Sequence, residues 1–105
     1  MVIVVLNTNG KSPFIPVKDD GRIVEQCDAL SIGASIQNML LRAQELGLGT
    51  LWIANTCFAY PELETYINTT DQIISAVAVG YPDEAPGQRL RKKIEEIMVK
   101  TPFSC

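Results

Sequence analysis

The densest group of side chains that could do chemistry is a basic stretch near the end of this 105-residue chain. Residues 87–100 hold five basic and two acidic side chains, whereas residues 1–86 hold four basic and ten acidic ones. Guanidinium groups bind phosphate through paired hydrogen bonds, so Arg89 and Arg91 are candidate phosphate ligands. A solvated helix start with ion pairs is the alternative for these residues, and it is the favoured one for Arg91.

Other residue counts exclude whole classes of chemistry. The sequence contains no histidine, which removes Ser-His-Asp and Cys-His pairs and any His-ligated metal site. Cys27, Cys57 and Cys105 form no CxxC pair, and we expect free thiols in a reducing cytoplasm. The net charge of −3 does not favour nucleic-acid binding, and the apolar run Met1–Leu6 is shorter than the roughly 20 residues of a membrane span.

The elements that must position such residues follow from hydrophobic spacing and from turn residues. We expect one domain, residues 1–105, of the α+β class with a mixed α/β layer. Three strands are predicted at Val2–Leu6, Thr50–Ala54 and Ile73–Val79, with a short two-stranded excursion within residues 15–24. Three helices are predicted: a long one capped by Asp28 and ended by Gly47 or Gly49, a short one from Pro61 through Ile67, and one over Leu90–Val99.

The long helix is apolar over an unusually wide arc. Its main stripe is widened by Leu30, Ala34 and Leu41, so we expect a central helix that is covered on more than one side. One small sheet cannot cover such an arc. The pattern therefore predicts a symmetric dimer with Ala34 or Gln37 near the twofold axis.

Four segments together resemble the C-terminal half of the FMN-dependent nitroreductase family. They are residues 28–43 (DALSIGASIQNMLLRA), 46–53 (LGLGTLWI), 79–86 (VGYPDEAP) and 89–97 (RLRKKIEEI). No segment is specific for the family by itself, but the order and spacing of the four segments together are. Relative to the family, the chain lacks an N-terminal segment that binds the flavin phosphate, and we expect a truncated form of the fold.

The resemblance implies a fold, a cofactor and a reaction. The fold is a small sheet with a long central helix, and the cofactor is FMN. Hydride passes from NADH or NADPH to the flavin N5 and then to a nitro compound, a quinone or a similar small acceptor, in a homodimer. Ile53, Ala54 and Asn55 then face the flavin ring, where a backbone N–H can hydrogen-bond N5 or O4. An ordinary strand exit, with Asn55 in a turn, is the alternative.

The resemblance also implies which residues bind the phosphate of FMN. Family members carry a Lys-x-Arg pair at the start of the basic tail, and here Gly87 takes the lysine position while Arg89 matches the arginine. Because phosphate contacts are missing, we expect weak FMN binding. Trp52 and Tyr60 could line the flavin pocket, although core packing is the usual role of lone aromatic residues.

Two further interpretations stay open at this point. The chain could be a non-catalytic nitroreductase-like remnant that acts as a dimerisation or binding module. It could also be an unrelated small α/β ligand-binding domain. The flavin content of the purified protein separates the FMN-dependent enzyme from the non-catalytic remnant. The solution mass separates the unrelated domain from both, because family membership implies a dimer.

Overall fold

The last strand of the chain, β3 (Gln72–Gly80), lies between the other two and pairs with both of them in antiparallel fashion. Its neighbours are β1 (Val2–Asn7) and β2 (Gly49–Ile53). A computed structural model describes residues 1–102, so Cys105 lies outside the described residues. The remaining elements are α1 (Asp19–Glu45), a 3-10 helix (Thr56–Ala59), α2 (Tyr60–Ile67) and α3 (Ile94–Ile97). The predicted α+β class, with a small sheet and a long helix, is confirmed.

The long helix α1 begins at Asp19, well ahead of the predicted cap at Asp28. The prediction of a two-stranded excursion within residues 15–24 is therefore wrong. Asp19 and Asp20 lie in the first turn, where acidic side chains interact favourably with the helix dipole. Asp28 lies inside the helix, and its carboxylate accepts a hydrogen bond from Asn7 Nδ2 at 3.3 Å, which ties α1 to the end of β1.

Helix α1 ends just before Gly47, as the glycine pattern predicts. Gly47 has a φ of +75°, in the left-handed region that favours glycine. Its N–H donates to the carbonyl of Gln44, and the N–H of Leu48 donates to that of Ala43. This pair of bonds satisfies the last helical carbonyls and turns the chain directly into β2.

Helix α1 is covered on one side only, by the sheet. Ile36 and Ala43 are its buried residues, and Val77 of β3 is fully buried. The opposite side of the helix exposes Leu30 (70%) and Leu41 (56%) to solvent. Within one chain, the expectation of a helix covered on more than one side is therefore wrong, because the three-stranded sheet and two short helices leave nothing to pack there.

The basic tail has little regular secondary structure. The helix predicted over Leu90–Val99 forms only at α3 (Ile94–Ile97), so its predicted length is wrong. Four basic side chains at residues 89–93 repel one another, and an isolated helix of this length is marginal without a surface to pack on. Within residues 1–102 the ion pair is Arg42 with Glu45, so the ion pairs considered above for the basic tail are not formed.

The pairing of β1 with β3 contains a β-bulge, and Tyr60 bonds to the backbone of β3 beside it. Val5 faces Ser75 and Leu6 faces Ile73, so Ile74 is the extra residue. Strand β2 pairs no further along β3 than Ala76, and the N–H of Ile73 donates instead to the hydroxyl of Tyr60 at 2.9 Å. Tyr60, whose ring meets that of Phe14 edge-on, is thus the buried side chain that fastens α2 to the sheet.

Replacing Tyr60 with phenylalanine should lower the free energy of unfolding by about 1–3 kcal/mol, because the buried N–H of Ile73 loses its acceptor. Urea unfolding followed by circular dichroism measures the change. Tyr66→Phe is the matched control, because Tyr66 lies on the same helix and is 89% exposed. Equal stabilities for the two variants would contradict the assignment.

Burial raises the pKa of Tyr60 above its ordinary value of 10.0, the hydrogen bond from Ile73 opposes the shift, and the charge of Glu64 adds to it. A raised pKa in the folded state means that this stabilising contribution is complete below about pH 10 and is lost as the pH rises through the folded pKa. The wild type should therefore lose stability above about pH 10 more steeply than Tyr60→Phe. Tyr66→Phe should retain the wild-type slope.

Candidate functional site

The end of β2 leaves a short stretch of backbone open to solvent. Ile53 is half-buried and pairs with Ala76, and the chain then leaves the sheet at Ala54 and Asn55, which are both exposed. Among the hydrogen bonds of the described residues, none uses the N–H of Ala54 or of Asn55 as donor. Two consecutive free N–H groups at a strand exit can hydrogen-bond an acceptor atom of a bound molecule.

An apolar cavity of about 330 Å³ adjoins this strand exit. Its lining includes Val4 and Ala76 of the sheet and Leu63 of α2. Ile53 and Asn55 lie at the same cavity, so two of the three predicted ring-facing residues are brought together there. The arrangement suits a flat apolar group whose polar edge meets backbone donors.

Hydrogen bonds to β3 fix the segment on both sides of the strand exit. Trp52 Nε1 donates to the hydroxyl oxygen of the buried Ser75 at 3.1 Å. Within the segment, the N–H of Phe58 donates to the carbonyl of Asn55 at 3.3 Å, and beyond it Tyr60 meets Ile73. Spacing alone could not reveal the bonds to Ser75 and Ile73, because their partners are 23 and 13 residues away along the chain.

The basic tail lies elsewhere on the molecule. Gly80 pairs with Gly49, at the opposite end of β2 from Ile53, so the chain leaves the sheet away from the strand exit. Arg89 and Arg91 are both exposed, and Arg91 Nη1 contacts the carbonyl of its neighbour Leu90 at 3.4 Å. The structure therefore does not bring these two arginines together with residues 53–55.

Within the tail, Arg89 differs from Arg91 in its contacts. Its guanidinium group forms no ion pair and no hydrogen bond with any of residues 1–102. An exposed guanidinium group without an acidic neighbour has all of its donors available for an anion. Of the two predicted phosphate ligands, Arg89 is therefore the better prepared.

Comparison with known proteins agrees with this fold. The sequence model of the Nitroreductase family matches residues 2–81. Among solved structures, a nitroreductase from Desulfovibrio desulfuricans in complex with FMN matches with a TM-score of 0.66 and 29% sequence identity. The match covers 76% of this chain and 48% of that one, so the chain spans about half the length of its structural neighbour. A search of the curated proteins finds no match.

The chain belongs to the nitroreductase family, because the family match covers most of its length and the fold agrees with that of a family member. The resemblance stated from the four sequence segments is thereby confirmed. In the part of the chain that the structure describes, no helix has the length and hydropathy needed to cross a membrane.

Proposed function

We propose that this chain binds FMN and acts as a nitroreductase-type oxidoreductase. The observation that carries the proposal is the strand exit, where the N–H groups of Ala54 and Asn55 are free and Asn55 lines an apolar cavity, in a chain of the nitroreductase family. The cavity can accept the edge of the flavin ring, and the N–H groups can donate to its N5 or O4 atom. Ile53 supplies apolar contact at the same place.

The phosphate of FMN is assigned to the tail on the family resemblance alone, because within one chain the tail leaves the sheet at the far end of β2 from residues 53–55. Arg89 is the main ligand in this proposal because its guanidinium group is exposed and unpaired within the described residues. Arg91 contributes a second positive charge, and Gly87 supplies none. With a single matched arginine, FMN should bind weakly, since each charge-assisted hydrogen bond is worth about 1.5–3 kcal/mol.

Bound FMN would accept a hydride from NADH or NADPH and pass it to a nitro compound, a quinone or a similar small acceptor. The chain's own contribution is to bind and orient the ring through its backbone and to exclude water from the ring edge with the cavity wall. No acid–base side chain is assigned to it.

The thiols of Cys27 and Cys57 are free, as expected of a protein in the reducing cytoplasm, where we place it.

A homodimer is part of the proposal. Five residues of α1 share the side of the helix that faces away from the sheet, namely Ile23, Leu30, Ala34, Gln37 and Leu41. The large apolar ones among them are exposed in the single chain. A second copy of the same stripe is the surface that buries them symmetrically.

The second candidate function is a nitroreductase-like remnant that dimerises without catalysis. It is favoured by Gly87, which supplies no charge at the position where the resemblance implies a lysine. This candidate predicts the same dimer but no flavin binding. Titration with FMN therefore separates the two functions.

Arg89→Ala should weaken FMN binding about tenfold or more, because one charge-assisted phosphate contact is lost. Lys92→Ala removes the same charge from the same tail and should change the affinity little. Quenching of FMN fluorescence measures both dissociation constants. Equal losses in the two variants would reduce Arg89 to a general electrostatic effect, and no loss in either would remove the phosphate assignment.

Leu30→Lys should convert the dimer to monomers, because the new charge would be buried against its own copy at the symmetric stripe. Phe58→Lys is the control, since Phe58 is also large, apolar and exposed but lies on the 3-10 helix. Light scattering at micromolar protein gives the mass of each variant. A monomeric wild type would contradict the proposed interface.

A further inference from the structure

The segment that carries the free N–H groups is fastened to β3 at both of its ends. Trp52, just before the segment, donates to Ser75, and Tyr60, just after it, accepts from Ile73. Ser75 and Ile73 lie on either side of Ile74, the extra residue of the bulge. The two anchors therefore hold residues 53–59 against one short stretch of one strand.

The backbone N–H of Ile73 is free to receive the Tyr60 anchor because β2 has already ended. The last pair between the two strands is Ile53 with Ala76, so the residues of β3 that precede Ala76 have no partner in β2. Ser75 and Ile73 are both buried, where an unsatisfied polar group is costly. The Tyr60 anchor thus satisfies a buried backbone N–H that β2 does not reach, and the Trp52 anchor satisfies the buried side-chain hydroxyl of Ser75.

We propose that Trp52 and Tyr60 are positioning residues that set the place of the Ala54 and Asn55 N–H groups relative to a flavin ring. This inference rests on the proposed function, in which those N–H groups contact the ring. A backbone donor has no rotamers with which to correct its position, so its alignment depends on what holds the chain on either side. Here the hydrogen bonds of Trp52 and Tyr60 to β3 hold it.

Two single-oxygen deletions test the anchors. Tyr60→Phe removes the acceptor of the Ile73 N–H, and Ser75→Ala removes the acceptor of the Trp52 indole N–H. Tyr66→Phe and Ser35→Ala are matched controls, since Tyr66 is exposed and the Ser35 hydroxyl bonds only to Ile32 of its own helix. All measurements are made at a temperature at which circular dichroism finds each variant folded.

The first measurement is hydrogen–deuterium exchange of the flavin-free protein. In Tyr60→Phe and in Ser75→Ala, we expect residues 53–63 to exchange about threefold to tenfold faster than in the wild type, with β1 unchanged. The controls should match the wild type. An unchanged rate in residues 53–63 would overturn the proposal while leaving the proposed function standing.

The second measurement compares dissociation constants for FMN and for riboflavin, which carries the same ring without the phosphate. Both anchor variants should weaken the two ligands equally, by about threefold or more, because the loss is at the ring. Arg89→Ala should weaken FMN alone. This split separates an effect at the ring from one at the phosphate.

Two outcomes would overturn the proposal at this step. If exchange rises but both flavins bind the anchor variants as they bind the wild type, Trp52 and Tyr60 are structural only. If the wild type binds neither flavin, the proposed function fails and the inference fails with it. In that case an exchange rate that rises in both anchor variants shows that the anchors hold the segment and that the failure lies in the proposed function.

Discussion

The central strand β3 must satisfy hydrogen bonds along both of its edges, and the rest of the structure depends on how it does so. Strand β1 covers one edge, and β2 covers the other only as far as Ala76. Beyond that point the N–H of Ile73 donates to the hydroxyl of a buried side chain, Tyr60. Because Tyr60 begins α2, the need to complete one edge of β3 also decides where the second helix lies and which path the chain takes after β2.

The candidate site is a consequence of that path. The chain leaves the sheet at Ala54 and returns at Tyr60, and the stretch between them has backbone donors that the sheet does not use. Recognition through main-chain groups is compatible with a sequence that contains no histidine. In this account the flavin would supply the redox chemistry, and the protein would supply a fixed edge of N–H groups, an apolar wall and a positive charge on the tail.

Several elements could be predicted from sequence because their signals are local. Apolar runs predicted all three strands, Gly47 the end of α1, and Pro61 the first turn of α2. The start of α1 was missed because Asp28 is a good capping residue by type, whereas its carboxylate is used by Asn7 across the fold. The tail helix was overestimated because local ion pairs cannot replace packing. The free N–H groups of Ala54 and Asn55 leave no trace in side-chain identity, and only the resemblance pointed to them.

The most direct test of the central claim is an NMR titration of the ¹⁵N-labelled wild-type chain with FMN, in which each backbone N–H is followed separately. The account predicts that the N–H signals of Ala54 and Asn55 shift most among the backbone signals near the sheet, in a saturable manner. It also predicts that the Arg89 side-chain signal moves in step with them. Saturable shifts confined to other parts of the chain, or no shifts at any FMN concentration, would contradict the claim that this strand exit is a flavin site.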